Sequence, residues 1–122
     1  MTPPIYTTLQ ASAAVRSIFG ARPRVFKDGE APQGVATPYA TWLVVSGVPQ
    51  NSLSETPTIE QQGVQIDVYA ATESEVDAGA IAVRDQMETV THMTSWRSPP
   101  RDEQTRRFRR SMDFDYWLPR ES

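Results

Sequence analysis

The 122-residue sequence predicts an α+β domain, a mainly antiparallel sheet of about four strands with two helices packed on one face. Three observations predict it. One segment repeats its apolar residues on the helical period, two segments alternate apolar and polar residues as a strand does, and ten prolines and six glycines punctuate the chain between them. The resulting order is helix, strand, strand, strand, helix, strand, and the length suits a single domain over residues 1–122.

Pro3 and Pro4 stand where a helix start accepts proline, and Ile5 to Phe19 contains no breaker before Gly20. A first helix over this stretch buries Ile5, Leu9, Ala13, Val15, Ile18 and Phe19. Between Ala21 and Pro38, the punctuation at Pro23, Asp28-Gly29, Pro32, Gly34 and Pro38 leaves room only for a short strand around Arg24 to Phe26. Tyr39 to Val45 (YATWLVV) is dense in β-branched and aromatic residues, which predicts a strand covered on both faces. The segment 49–61 is polar, holds Pro49 and Pro57, and shows neither period; it reads as a hairpin tip or a mobile arm, and its composition favours the arm.

Gly63 to Ala70 alternates, with Val64, Ile66 and Val68 on one side and Gln65, Asp67 and Tyr69 on the other, a strand with one wet face. Thr72-Glu73-Ser74-Glu75 fits the capping box, and Glu73, Glu75 and Asp77 put negative charge at the positive end of the helix dipole. Val76, Ala80, Val83, Met87 and Val90 then form one helical stripe, small and aliphatic enough to lie flat on a sheet. After the break at Ser98-Pro99-Pro100, the last strand places Phe108, Arg110, Met112, Phe114, Tyr116 and Leu118 on one face. Arg107, Arg109, Ser111, Asp113, Asp115 and Trp117 share the other.

Composition narrows the chemistry. With no cysteine there is neither a disulfide framework nor a thiolate metal site, and the single histidine, His92, leaves no histidine cluster; no metal and no cofactor is expected. His92 follows the helical stripe and reads as a helix-end histidine meeting the C-terminal dipole, because no nucleophile or orienting partner accompanies it. Asp113 and Asp115 resemble a catalytic carboxylate pair, yet Arg107 and Arg109 on the same strand face favour a solvated or ion-paired reading. The glycines form no phosphate-binding pattern. No catalytic residue is assigned, and the protein is not expected to be an enzyme.

No apolar run approaches a membrane span, and MTPPIYTTLQ is no export leader, so a soluble, unexported chain is expected. The net charge of −3 conceals an uneven distribution, because residues 51–95 hold eight acidic groups and one basic, whereas each flanking segment is positive. All basic residues but Lys27 are arginine. Arg106-Arg107-Phe108-Arg109-Arg110 resembles a nucleic-acid-binding strand, but its period sends Phe108 to the core side and neighbouring carboxylates dilute its field. Interaction surfaces remain: an arginine-bearing strand face, which can equally be merely solvated, an acidic centre, and the polar segment 49–61.

Taken in order, four stretches, PPIYTTLQASAAVRSIFG, RVFKDGEAPQGVATPYATW, GVQIDVYAATESEVDA and RRFRRSMDFDYWLP, resemble the tail-completion family of long-tailed bacteriophages, small neck proteins that terminate the tail tube. The most specific elements are Ala31 to Gly34 with Thr37 to Tyr39, Gln65 to Thr72, and the ending Asp113-Phe114-Asp115-Tyr116-Trp117. The resemblance implies a structural virion protein of the tail neck, made and assembled in the host bacterial cytoplasm. Its expected form is a ring, usually of six copies, seated on the tail tube protein and facing the head-completion or connector protein, with DNA met only in the ring lumen. Subunit contacts are expected at Arg107, Arg109, Asp113 and Asp115, and contacts to tube or connector at Asn51, Ser52, Leu53, Glu55, Thr58 and Glu60. Alternatives are a head-closure or stopper protein of the same neck, or a small nucleic-acid- or ligand-binding α+β domain.

Overall fold

Two short helices open the chain, α1 (Ile5–Gln10) and α2 (Ala13–Phe19), where the sequence predicts one. The apolar spacing explains the break. Ile5 and Leu9 define a stripe that a continuous helix carries through Ser12 and Arg16, whereas Val15 and Phe19 are the residues that are buried. Interrupting the helix at Ala11-Ser12 turns all four to the core, each burial being worth roughly 1.5–3 kcal/mol. Ser12 offsets part of the cost, its hydroxyl oxygen accepting from the Val15 amide at 3.2 Å as the cap of α2. Ala13, expected in the core, is exposed for the same reason.

The structure, a computed structural model, describes residues 3–49 and 59–119. Beyond the two helices the order is β1 (Val25–Lys27), β2 (Tyr39–Pro49), β3 (Ile59–Ala70), α3 (Glu73–Met87), β4 (His92–Arg97) and β5 (Phe108–Pro119). The five strands form one sheet in the order β1-β2-β3-β5-β4, antiparallel except where β1 joins β2 in parallel. The α+β class holds, with one strand and one helix more than the sequence predicts. β4 is the added strand. It is six residues long, lies at an edge, and is bulged at Thr94 between Met93 and Ser95, which destroys the alternation that reveals a strand. His92 therefore begins β4 and stands opposite Asp115, several residues beyond the helix end where it was expected.

The strands β2 and β3 run further than their patterns suggest. Pro49 pairs with Glu60, and Ile59 with Pro119 of β5, so both ends of the expected arm 49–61 belong to the sheet, while residues 50–58 lie outside the described part. A bulge at Val45, between Val44 and Ser46, precedes this extension. Val44 and Val45 are 38% and 50% exposed, so only the first half of β2 is covered as predicted.

One sheet face carries Val25, Ala40, Trp42, Val64, Ile66, Val68, Met112 and Phe114, and the three helices cover it. Thr72 caps α3 as predicted: its hydroxyl oxygen accepts from the Glu75 amide at 3.2 Å and its hydroxyl donates to the Glu75 carboxylate at 2.9 Å. Val76, Ala80, Val83 and Met87 are buried in a stripe, but the helix ends at Met87 and Val90 is 51% exposed in the turn that follows. Gly79 fixes how closely α3 sits. A Cβ there meets Phe19 of α2 and Val68 of β3, each at 3.1 Å, so the missing side chain is what admits both neighbours. Gln86 ties α3 to α1 by donating to the Thr8 carbonyl at 2.8 Å.

Arg110 points from β5 toward the helices and is 6% exposed. Its guanidinium donates to Asp77 at 2.8 Å, to the Arg109 carbonyl at 2.9 Å and to Glu73 at 3.5 Å, pinning the first turns of α3 to the sheet. Removing Asp77 strands a buried guanidinium, whereas removing Arg110 leaves Asp77 and Glu73, both of which water reaches. Asp77→Ala is therefore expected to lower stability in urea unfolding by about 1–3 kcal/mol, and Arg110→Met by clearly less. A Gly79→Leu variant, forced against Phe19 and Val68, is expected to lose about 1–3 kcal/mol by the same measurement.

Candidate assembly surface

The face of the sheet away from the helices is polar, but not wet as predicted. Thr41, Asp67 and Ser111 stand side by side on β2, β3 and β5, and each is at most 7% exposed. The Asp67 carboxylate accepts from the Ser111 hydroxyl and from the Gln65 amide at 3.1 and 3.2 Å, which satisfies it without a cation. Coverage has two sources. β3 is flanked by strands on both sides, and the loop from β1 to β2 lies over this face, where Gly29, Ala31, Pro32 and Gly34 line a cavity of about 390 Å³ with Tyr39, Thr41 and Tyr69.

Arginines gather where β5 begins. Asp102 organises the loop that delivers them, its carboxylate accepting from the amides of Gln104 at 2.8 Å and Thr105 at 2.9 Å. Those two amides hold its carboxyl below the usual carboxylate range. The turn closes through Arg106, whose backbone sits in the left-handed region at φ 58°. Arg107 donates to the Tyr39 hydroxyl at 2.9 Å and lies 5.3 Å over that ring, which in turn stacks on Tyr69 at 4.9 Å. Arg101 lies 5.5 Å over Phe108. Arg109, opposite Tyr69 in the ladder, is exposed and shares with Arg107, Tyr39, Tyr69 and Thr105 the lining of a cavity of about 200 Å³.

The sequence-expected contact residues thus separate. Arg107 and Arg109 reach this cluster, but Asp113 lies further along β5 and pairs within the chain: Arg97 of β4 grips it at 2.6 and 3.2 Å, and the Ser95 hydroxyl donates to it at 2.8 Å. The guanidinium is the larger reason that the Asp113 carboxyl titrates below its usual range, with Ser95 adding to it. Asp115 is half-buried opposite His92, and its carbonyl accepts from the Thr91 hydroxyl. Of the expected tube or connector contacts, Asn51, Ser52, Leu53, Glu55 and Thr58 lie outside the described residues, and Glu60 lies in β3. Sequence reasoning passed over Arg97, Arg101, Tyr39 and Tyr69. Only the aromatic density of YATWLVV signalled any of them, because their partners come from strands and loops distant in sequence.

Among the described residues no group of histidine, cysteine, aspartate or glutamate could hold a metal, and no helix is long and apolar enough to cross a membrane. What the surface presents is fixed charge on a rigid sheet, the equipment of a protein that binds other macromolecules. The sequence matches the family described as Tail completion protein gp17 over residues 3–118, and the chain belongs to that family, whose members are structural proteins of the bacteriophage virion. The fold is similar to that of a chain in a structure described as "Virion of native gene transfer agent (GTA) particle". The TM-score is 0.65 at 18% identity, covering 95% of this chain and 92% of that one. No curated protein matches the sequence.

Arg97 and Asp113 give this surface a pH dependence. A depressed carboxyl contributes stability that is complete above the unfolded value near ~4 and is lost as pH falls through the lower folded value. Asp113→Asn is expected to remove that part of the loss, so that its stability relative to wild type improves as the pH of urea titrations is lowered from 6 to ~2.5.

Proposed function

We propose that the protein closes the end of a bacteriophage tail tube as a ring and joins it to the head connector, acting without catalysis. The observation that carries this reading is the family match across residues 3–118. The likeness to a chain of a gene transfer agent virion supports it, as does the segregation of charge, since a closed ring needs two different patches on each subunit to meet. Six copies are the expected number, and DNA passes through the lumen.

Within the ring, Arg107, Arg109, Asp113 and Asp115 belong to contacts between subunits, with Arg109 the most available because Arg107 and Asp113 already have partners in the chain. Asn51, Ser52, Leu53, Glu55, Thr58 and Glu60 belong to contacts with tube or connector. Pro49 and Glu60, the last pair of the β2–β3 ladder, lie at the end of the sheet opposite to the one where the arginines gather.

Negative-stain electron microscopy of the protein incubated with isolated tails and, separately, with tailless heads checks this. Rings seated on bare tail-tube ends are expected. Capping of heads alone assigns the protein to head closure instead, and absence of rings on either particle removes the reading.

A further inference from the structure

The three helices cover one sheet face and the arginine cluster rims cavities on the other, and among the described residues no hydrogen bond or ion pair joins the outer face of α3 to Arg101, Arg107 or Arg109. That outer face is unusual. Ser74, Ala78, Ile81, Asp85 and Glu88 recur at helical spacing and are all exposed, with Ile81 at 43% in the centre. Carboxylates follow the isoleucine on this face, Asp85 and Glu88, whose side chains are 65% and 42% exposed. Arg84 is the only cation of the helix and touches Asp85 and Glu88 without balancing the acidic charge.

We infer that the outer face of α3 on one copy docks against the arginine cluster of a second copy. The inference rests on the ring reading and names its interface. Arg101 and Arg107 are already held against aromatic rings, so little side-chain freedom is lost when a carboxylate arrives, and the guanidinium fork suits carboxylates in pairs. Ile81 meets the apolar surface that Tyr69 and Pro100 present at the smaller cavity. A phosphate backbone fits less well: it has no use for an apolar centre, and Asp102 and Glu103 stand among the arginines and oppose a polyanion. The two patches differ and lie on different faces, which makes the contact heterologous and able to close a ring.

The absence of cysteine makes the test direct. Ile81→Cys and Arg109→Cys proteins are mixed on isolated tail tubes and oxidised; a disulfide between the two variants is expected to dominate over either self-pairing. In parallel, Arg101→Glu/Arg109→Glu is expected to weaken association by at least about tenfold in sedimentation, and combining it with Asp85→Arg/Glu88→Arg in one chain to restore most of it. Wild-type rings without the mixed disulfide, or without any effect of charge reversal, overturn this interface and leave the ring reading intact. Wild type that forms no ring on tubes overturns both. A low-salt mobility shift with duplex DNA that the arginine reversals abolish, with assembly unchanged, reassigns the cluster to nucleic acid.

Discussion

The seat of α3 on the sheet is the contact on which the rest of the molecule depends. It is set by an atom that is missing, the Cβ of Gly79, and by an ion pair that is present, Arg110 with Asp77. A glycine in a helix interior costs roughly 1 kcal/mol relative to alanine, and the buried side chains it admits outweigh that cost. With α3 held close, Phe19 and Val68 reach full burial and α2 is drawn against the same helix. The ion pair acts differently. It contributes little net stability by itself, but it sets which turn of α3 lies over which residue of β5, a choice that small aliphatic side chains alone leave open.

This framework explains the division of the two sheet faces. The helix side is filled by interlocking apolar groups, whereas the opposite side buries Thr41, Asp67 and Ser111 in a satisfied polar row. A satisfied row of this kind gives less driving force than apolar packing, but its hydrogen bonds meet the needs of groups taken out of water. Around it stand charges that aromatic rings or other charges hold in place, Arg107 on Tyr39 and Arg97 on Asp113. Such charges act as fixed points on a rigid support, which favours selective contacts over sticky ones.

Legibility from sequence followed the range of the interactions. The cap at Thr72, the stripe of α3 and the alternation in β3 and β5 are local patterns, and each located its element, although β3 begins four residues earlier than its pattern and α3 ends before Val90. The break at Ser12 was visible in principle, since the step of six residues from Leu9 to Val15 fits no single stripe. β4 was not visible, because Thr94 spoils its period and its pairing with β5 is decided by residues far along the chain. The candidate surface was half legible. Arg107 and Arg109 were apparent from strand period, but that Arg110 serves the fold, that Arg97 occupies Asp113, and that two tyrosines stack beneath Arg107 are consequences of register.

The outer strands of the sheet are poor templates for one another. β1 has three residues, and β4 has six with a bulge at Thr94 and Pro99-Pro100 soon after it. Open strand edges invite backbone pairing between molecules, a route that ignores side chains and leads to indefinite fibres. In a virion subunit, short and bulged margins suppress that route, and the encounters that remain are those in which side chains choose the partner.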